Sequence, residues 1–110
     1  MADSRPTIST HVLDAQLGMP ASGITVRLGR IVDDGAEVPA GRGTTDADGR
    51  IRDLLQGELT PGDYRLTFWI GGRGGFFERI SLDLHIDDVQ RSYHVPLILA
   101  PFSMTTYRGS

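Results

Sequence analysis

The sequence predicts an all-β fold, a two-sheet antiparallel β-sandwich of seven to eight strands with little or no helix. Three observations carry this reading. Apolar residues recur at every second position in several short segments, which is the period of a half-buried strand and not of a helix. Turn formers separate these segments at short intervals, drawn from 14 glycines and 6 prolines. A chain of 110 residues has room for one core, so the strands must share it as two layers. One domain is therefore expected over residues 1–110, with a flexible polar start at 1–6.

Thr7 to Asp14 reads as the first strand and Gly23 to Val32 as the next, joined by the turn-rich run Gly18-Met19-Pro20-Ala21-Ser22-Gly23. Asp46-Ala47-Asp48-Gly49 is a tight turn in which Gly49 is free to take positive φ. It would join short strands near Arg42 to Thr45 and Arg50 to Leu54. Tyr64 to Ile70 sets Tyr64, Leu66, Phe68 and Ile70 on one face, with Arg65, Thr67 and Trp69 on the other. Phe77 to Ile86 repeats the pattern, alternating Ile80, Leu82, Leu84 and Ile86 with Ser81, Asp83 and His85. Ser92 to Ala100 is apolar on both parities around His94 and Pro96, as in a strand covered on both sides. Pro96 lacks an N–H and so calls for an edge or a bulge. The apolar outer face, with Ile98 and Ala100, is a candidate subunit contact. Met104 to Arg108 completes the set.

The composition excludes several function classes. With 14 acidic and 11 basic residues the net charge is −3, and the basic residues are scattered, so nucleic acid is not an expected partner. There are no cysteines, which removes disulfides, thiolate zinc sites and cysteine nucleophiles. No apolar run approaches the roughly 18 residues of a membrane span, and the polar N-terminus fits a cytoplasmic protein with no membrane partner. The 3 histidines lack the close pairs common in zinc sites, so neither a metal nor a cofactor is expected. His85 shares its strand face with Asp83 and Asp87 and is read as a surface residue.

Three blocks occur in order along the chain. The first is Ile8-Ser9-Thr10-His11-Val12-Leu13-Asp14 with Gly18-Met19-Pro20-Ala21, and the second is Thr45-Asp46-Ala47-Asp48-Gly49-Arg50. The third is Tyr93-His94-Val95-Pro96-Leu97 with Pro101-Phe102 and the last four residues, Tyr107-Arg108-Gly109-Ser110. Together they resemble the transthyretin-like family, and the closing tetrapeptide is similar to that of its hydroxyisourate-hydrolase branch rather than its hormone carriers. The resemblance implies hydrolysis of 5-hydroxyisourate to 2-oxo-4-hydroxy-4-carboxy-5-ureidoimidazoline in urate degradation. It also implies a homotetramer with its site in a groove between two dimers. Carried over residue by residue, it makes His11, Arg50 and His94 catalytic, and Arg50, Tyr107, Arg108, Gly109 and Ser110 substrate-binding. Two departures stand out: Gly71-Gly72-Arg73-Gly74-Gly75 replaces a short helix usual in the family, and Ser103-Met104 replaces a commoner Gly-Tyr pair.

These residue types suit the implied chemistry. Opening a cyclic amide requires an activated water, a base, a positive group for the developing oxyanion and a proton for the leaving nitrogen. Imidazoles titrate near pH 6.5 and can take or give protons, while a neighbouring guanidinium keeps them neutral and grips imide-like oxygens. His11 is read as the base, His94 as the partner that orients or donates protons, and Arg50 as clamp and oxyanion stabiliser. A small-ligand carrier on the same scaffold, or a purely structural sandwich, would have no use for this set.

Overall fold

In the computed structural model, which describes residues 5–110, nine strands and one 3-10 turn are found. The strands are β1 (Ile8–Asp14), β2 (Met19–Pro20), β3 (Thr25–Ile31), β4 (Glu37–Thr44), β5 (Arg50–Ile51), β6 (Gly62–Trp69), β7 (Arg79–Ile86), β8 (Tyr93–Ala100) and β9 (Ser103–Thr106). They form two sheets. One runs β2-β1-β8-β9 with β5 also paired to β1, and the other runs β4-β3-β6-β7. Of the stretch expected to be flexible, residues 1–4 lie outside the described region. Arg5 donates to the carbonyls of Gly57 and Leu55 and to the Asp53 carboxylate.

Period two produces this architecture directly. On β6, Tyr64, Leu66 and Phe68 are fully buried; on β1, Ile8, Thr10 and Val12 point inward; and on β8, Tyr93, Val95, Leu97 and Leu99 do so. Each such aliphatic or aromatic side chain contributes roughly 1.5–3 kcal/mol by leaving water. The opposite parity on β1 and β8, which holds Ser9, His11, His94 and Ile98, is half-buried and faces outward. Gly71 to Gly75 is an irregular loop without helix.

Four differences from the sequence reading have physical causes. First, β1 and β8 run parallel, from Ile8↔Tyr93 to Asp14↔Leu99, although the other pairings are antiparallel. These strands come from opposite ends of the chain, and the intervening strands of the second sheet provide the crossover that parallel pairing needs. Second, the strand expected from Arg50 to Leu54 ends at Ile51. Leu54 and Leu55, 1% and 3% exposed, turn into the core instead. Third, β4 begins at Glu37, well before Arg42, as an edge strand whose register slips opposite Leu28 and Gly29, beside Pro39. Edge position and bulge together tolerate that proline.

Fourth, β9 stops at Thr106, two residues short of the expected Arg108. The cause is Pro96, which lies in the interior of its sheet. Along β8 the odd residues bond toward β1, as Tyr93 does to the Thr7 carbonyl (2.9 Å), and the even residues bond toward β9. Pro96 has no N–H to offer on that side, so the ladder lapses after Leu97↔Thr106. The Thr106 hydroxyl caps the Pro96 carbonyl at 2.8 Å. Main-chain bonding resumes three residues after Thr106, where Gly109 N–H donates to the His94 carbonyl at 2.7 Å.

Candidate active site

Arg50 is placed by its turn. The Asp46 carboxylate accepts from the backbone N–H groups of Asp48 (2.8 Å) and Arg50 (3.0 Å), closing an Asx-type turn. The bond from the Arg50 N–H is the main reason the Asp46 carboxyl titrates below the usual carboxylate range; the Asp48 N–H and the charges of Arg52 and Arg50 act the same way. Gly49 sits at φ +76°, and a Cβ there would come within 2.4 Å of the Val12 carbonyl. Only glycine lets the turn press against β1, where Val12 N–H donates to the Gly49 carbonyl at 2.7 Å. The result is the register His11↔Arg50 between β1 and β5.

His11 is held by a bond of 2.9 Å between its Nε2 and the Asp48 carbonyl of the same turn. A carbonyl only accepts, so Nε2 carries the proton and Nδ1 is the ring nitrogen with a free lone pair. His94 lies on the adjacent strand, two residues from the position paired with His11, with the register Ser9↔His94 and His11↔Pro96. Its Nδ1 is 2.8 Å from the Ser9 hydroxyl. His94 titrates below the ordinary histidine value because it is partly buried, and because Arg50 and then His11 add positive charge nearby. The imidazole is therefore neutral near pH 7.

The C-terminal segment completes one side. Gly109 packs so closely on His94 that a Cβ would lie 2.8 Å from the ring Cδ2 and 3.3 Å from Pro96 Cγ. The Ser110 carbonyl accepts from the His94 N–H at 3.4 Å. A shallow groove of about 200 Å³ is lined by Ser9, Thr10, Arg50, Ile51, Arg52 and His94. Among the described residues no carboxylate lines it, so its charge suits an electron-rich or anionic occupant.

The structure thus brings His11, Arg50, His94, Gly109 and Ser110 together on the outer face of one sheet. Tyr107 and Arg108 turn elsewhere within the chain, lining a depression of about 300 Å³ with Leu82 to Ile86, Tyr93, Val95 and Thr106. Ser9, Arg52 and the Asp48 carbonyl were not singled out from sequence. Only the parity that puts Ser9 on the His11 face could have pointed to the first. His85 is remote, on the other sheet, held at 2.7 Å by Asp63 and 2.9 Å by Asp87.

With the geometry in place, comparison with known proteins separates fold from site. A 5-hydroxyisourate hydrolase of Halalkalibacterium halodurans is 38% identical over 115 residues, covering 94% of this chain and 97% of its own. The structure of Klebsiella pneumoniae 5-hydroxyisourate hydrolase superposes with a TM-score of 0.79 at 37% identity, covering 96% of this chain and 94% of that one. Sea bream transthyretin in complex with thyroxine superposes as well, with a TM-score of 0.82 over 92% of each chain, but at 29% identity. Backbone shape therefore does not divide the hydrolase from the thyroxine-bound transthyretin. Residues 8–109, from the start of β1 to the glycine packed on His94, match one family along their whole length: the chain belongs to the HIUase/Transthyretin family.

Proposed function

We propose that this protein hydrolyses 5-hydroxyisourate in urate degradation, on the outer face of the β1-β8 sheet. The observation that carries this reading is the convergence of His11, Arg50 and His94 on one face, with Gly109 and Ser110 laid against His94. Arg50 grips the substrate's imide-like oxygens and stabilises the oxyanion that forms when water adds to the cyclic amide carbonyl. His11 takes the water's proton on Nδ1, the nitrogen left free by the Asp48 carbonyl. The leaving nitrogen needs one proton as the C–N bond breaks. His94, neutral at rest, takes on Nε2 the remaining proton of the added hydroxyl as the intermediate collapses and gives it to the leaving nitrogen. The product leaves as a ring-opened carboxylate, and His11 returns the water's first proton to solvent. No other reagent is required.

Gly109 and Ser110 bear on the reaction through His94, against which their backbone is laid, and Tyr107 and Arg108 bear on substrate through a neighbouring subunit. A homotetramer in the cytoplasm is the state we assign. In support, Leu17, Met19, Phe76 and Phe102 are 65%, 57%, 72% and 80% exposed. Phe76 is tied to the β8–β9 turn by its N–H bond to the Pro101 carbonyl at 2.7 Å. Large apolar side chains left this exposed are ones that a subunit contact would cover.

The competing reading is a carrier of small apolar ligands, prompted by the thyroxine-bound structural neighbour. One experiment separates the two. Freshly generated 5-hydroxyisourate is followed by its ultraviolet absorbance with and without protein, and thyroxine binding is measured in parallel. Accelerated decay supports the hydrolase. Thyroxine binding with decay at the spontaneous rate supports the carrier.

A further inference from the structure

We propose that Ser9 is a positioning residue that sets the tautomer of His94. The proposal rests on the hydrolase reading above for its kinetic consequence, but not for its structural one. Ser9 and His94 are direct partners in the parallel β1-β8 ladder, and both side chains lie on the outward parity. The Ser9 hydroxyl sits 2.8 Å from Nδ1, and Gly109 closes on Cδ2. Two sides of the ring are thereby occupied. Nε2 is the one ring nitrogen that has no hydrogen-bond partner among the described residues, and His94 lines the groove.

A serine hydroxyl can donate or accept, so contact alone does not fix the tautomer. The positive charge nearby decides which role the hydroxyl takes, and the hydroxyl then holds the tautomer. His94 lines the groove together with Arg50, whose charge acts on the ring; beside that charge a bare Nε2 lone pair is favoured over an Nε2–H, which would carry a positive dipole. Ser9 therefore accepts from Nδ1–H and leaves the Nε2 lone pair to the groove. During turnover Nε2 gains one proton from the hydroxyl added to the carbonyl carbon and gives the same proton to the leaving nitrogen. The Nδ1–H bond to Ser9 persists throughout, so the ring need not rotate.

The test uses the full-length protein and two variants, Ser9→Ala and Ser9→Thr, with two readouts. Nitrogen NMR of histidine-labelled protein reports which ring nitrogen of His94 carries the proton, independently of any reaction. Wild type and Ser9→Thr should show Nδ1 protonated and Nε2 bare, and Ser9→Ala should shift toward the Nε2–H form. In the decay assay Ser9→Ala should lose about tenfold in kcat with little change in KM, the effect of one lost hydrogen bond felt in the transition state, and Ser9→Thr should restore it. Loss of activity in Ser9→Ala through misfolding would also show in its melting temperature, whereas the wild-type tautomer remains a test without any variant. An Nε2–H tautomer in the wild type, or an unchanged His94 spectrum in a folded Ser9→Ala, overturns the proposal. The expected tautomers with no hydrolysis by any form would instead overturn the hydrolase reading and leave the positioning intact.

Discussion

Adding one methyl group at Gly109 tests whether the C-terminal segment belongs to the reaction. A Cβ at that position would stand 2.8 Å from His94 Cδ2, with the His94 carbonyl and Pro96 Cγ each at 3.3 Å. Carbon atoms pack comfortably at about 3.5–4.0 Å, so Gly109→Ala must open the contact by roughly 0.7–1.2 Å. Either the segment retreats or the imidazole turns. Retreat stretches the 2.7 Å bond from Gly109 N–H to the His94 carbonyl beyond useful length. One exposed main-chain hydrogen bond contributes about 0.5–1.5 kcal/mol, so the melting temperature should fall by only a few degrees. A displacement of about 1 Å at a reacting group can cost about 100-fold in rate. Decay of 5-hydroxyisourate and thermal unfolding, measured on the same preparations, should therefore diverge: a large loss in kcat/KM beside a small loss in stability. Unchanged turnover in a Gly109→Ala protein would show that the close packing on His94 has no bearing on catalysis.

Other predictions concern titration and assembly. His85 has its pKa raised, chiefly by the hydrogen bond to Asp63 and then by the charge of Asp87, so its stabilising effect is complete below about pH 6.5 and is lost as pH rises through the folded value. His85→Ala should lower the melting temperature in acid, leave it unchanged in base and leave turnover intact; a pH-independent shift would contradict this. The opposite sign applies to His94, whose pKa is lowered by burial and by Arg50 and His11. The fold resists its protonation, so this group removes stability as pH drops below about 6.5, and His94→Gln should flatten that part of the stability curve. Ile98 lies on the outward parity of β8, and Ile98→Glu would bury a charge at a subunit contact at a cost of several kcal/mol. Light scattering should report smaller species, and an unmodified protein that is already monomeric and active would remove the premise.

The strands were legible wherever one face met the core, because Tyr64, Leu66 and Phe68, or Ile8, Thr10 and Val12, must alternate to be buried together. What escaped the sequence was pairing over long separations. Nothing local in Ile8 to Asp14 specifies a parallel neighbour more than eighty positions away, and the two-residue strands Met19–Pro20 and Arg50–Ile51 exist only because β1 offers them a partner. Pro96 was readable as an interruption, yet its place in the interior of the sheet was not. Of the candidate site, His11, Arg50 and His94 were named from their flanking motifs, since period two alone gives an outward histidine no purpose. Ser9 and the Asp48 carbonyl were invisible for a different reason: a small hydroxyl and a main-chain oxygen acquire meaning only from the ring nitrogens they meet.

The claim on which the rest depends is that the outer face of the β1-β8 sheet accelerates a reaction through His11, Arg50 and His94. Its most direct measurement is the first-order decay of 5-hydroxyisourate at equal concentrations of wild type and the single variants His11→Ala, Arg50→Ala and His94→Ala, each checked for folding. Positioned acid-base groups contribute roughly 10²- to 10⁴-fold, and these outward side chains are not part of the core, so each variant should stay folded and lose activity on that scale. Decay catalysed at the wild-type rate by a folded His11→Ala or His94→Ala protein would contradict the assignment.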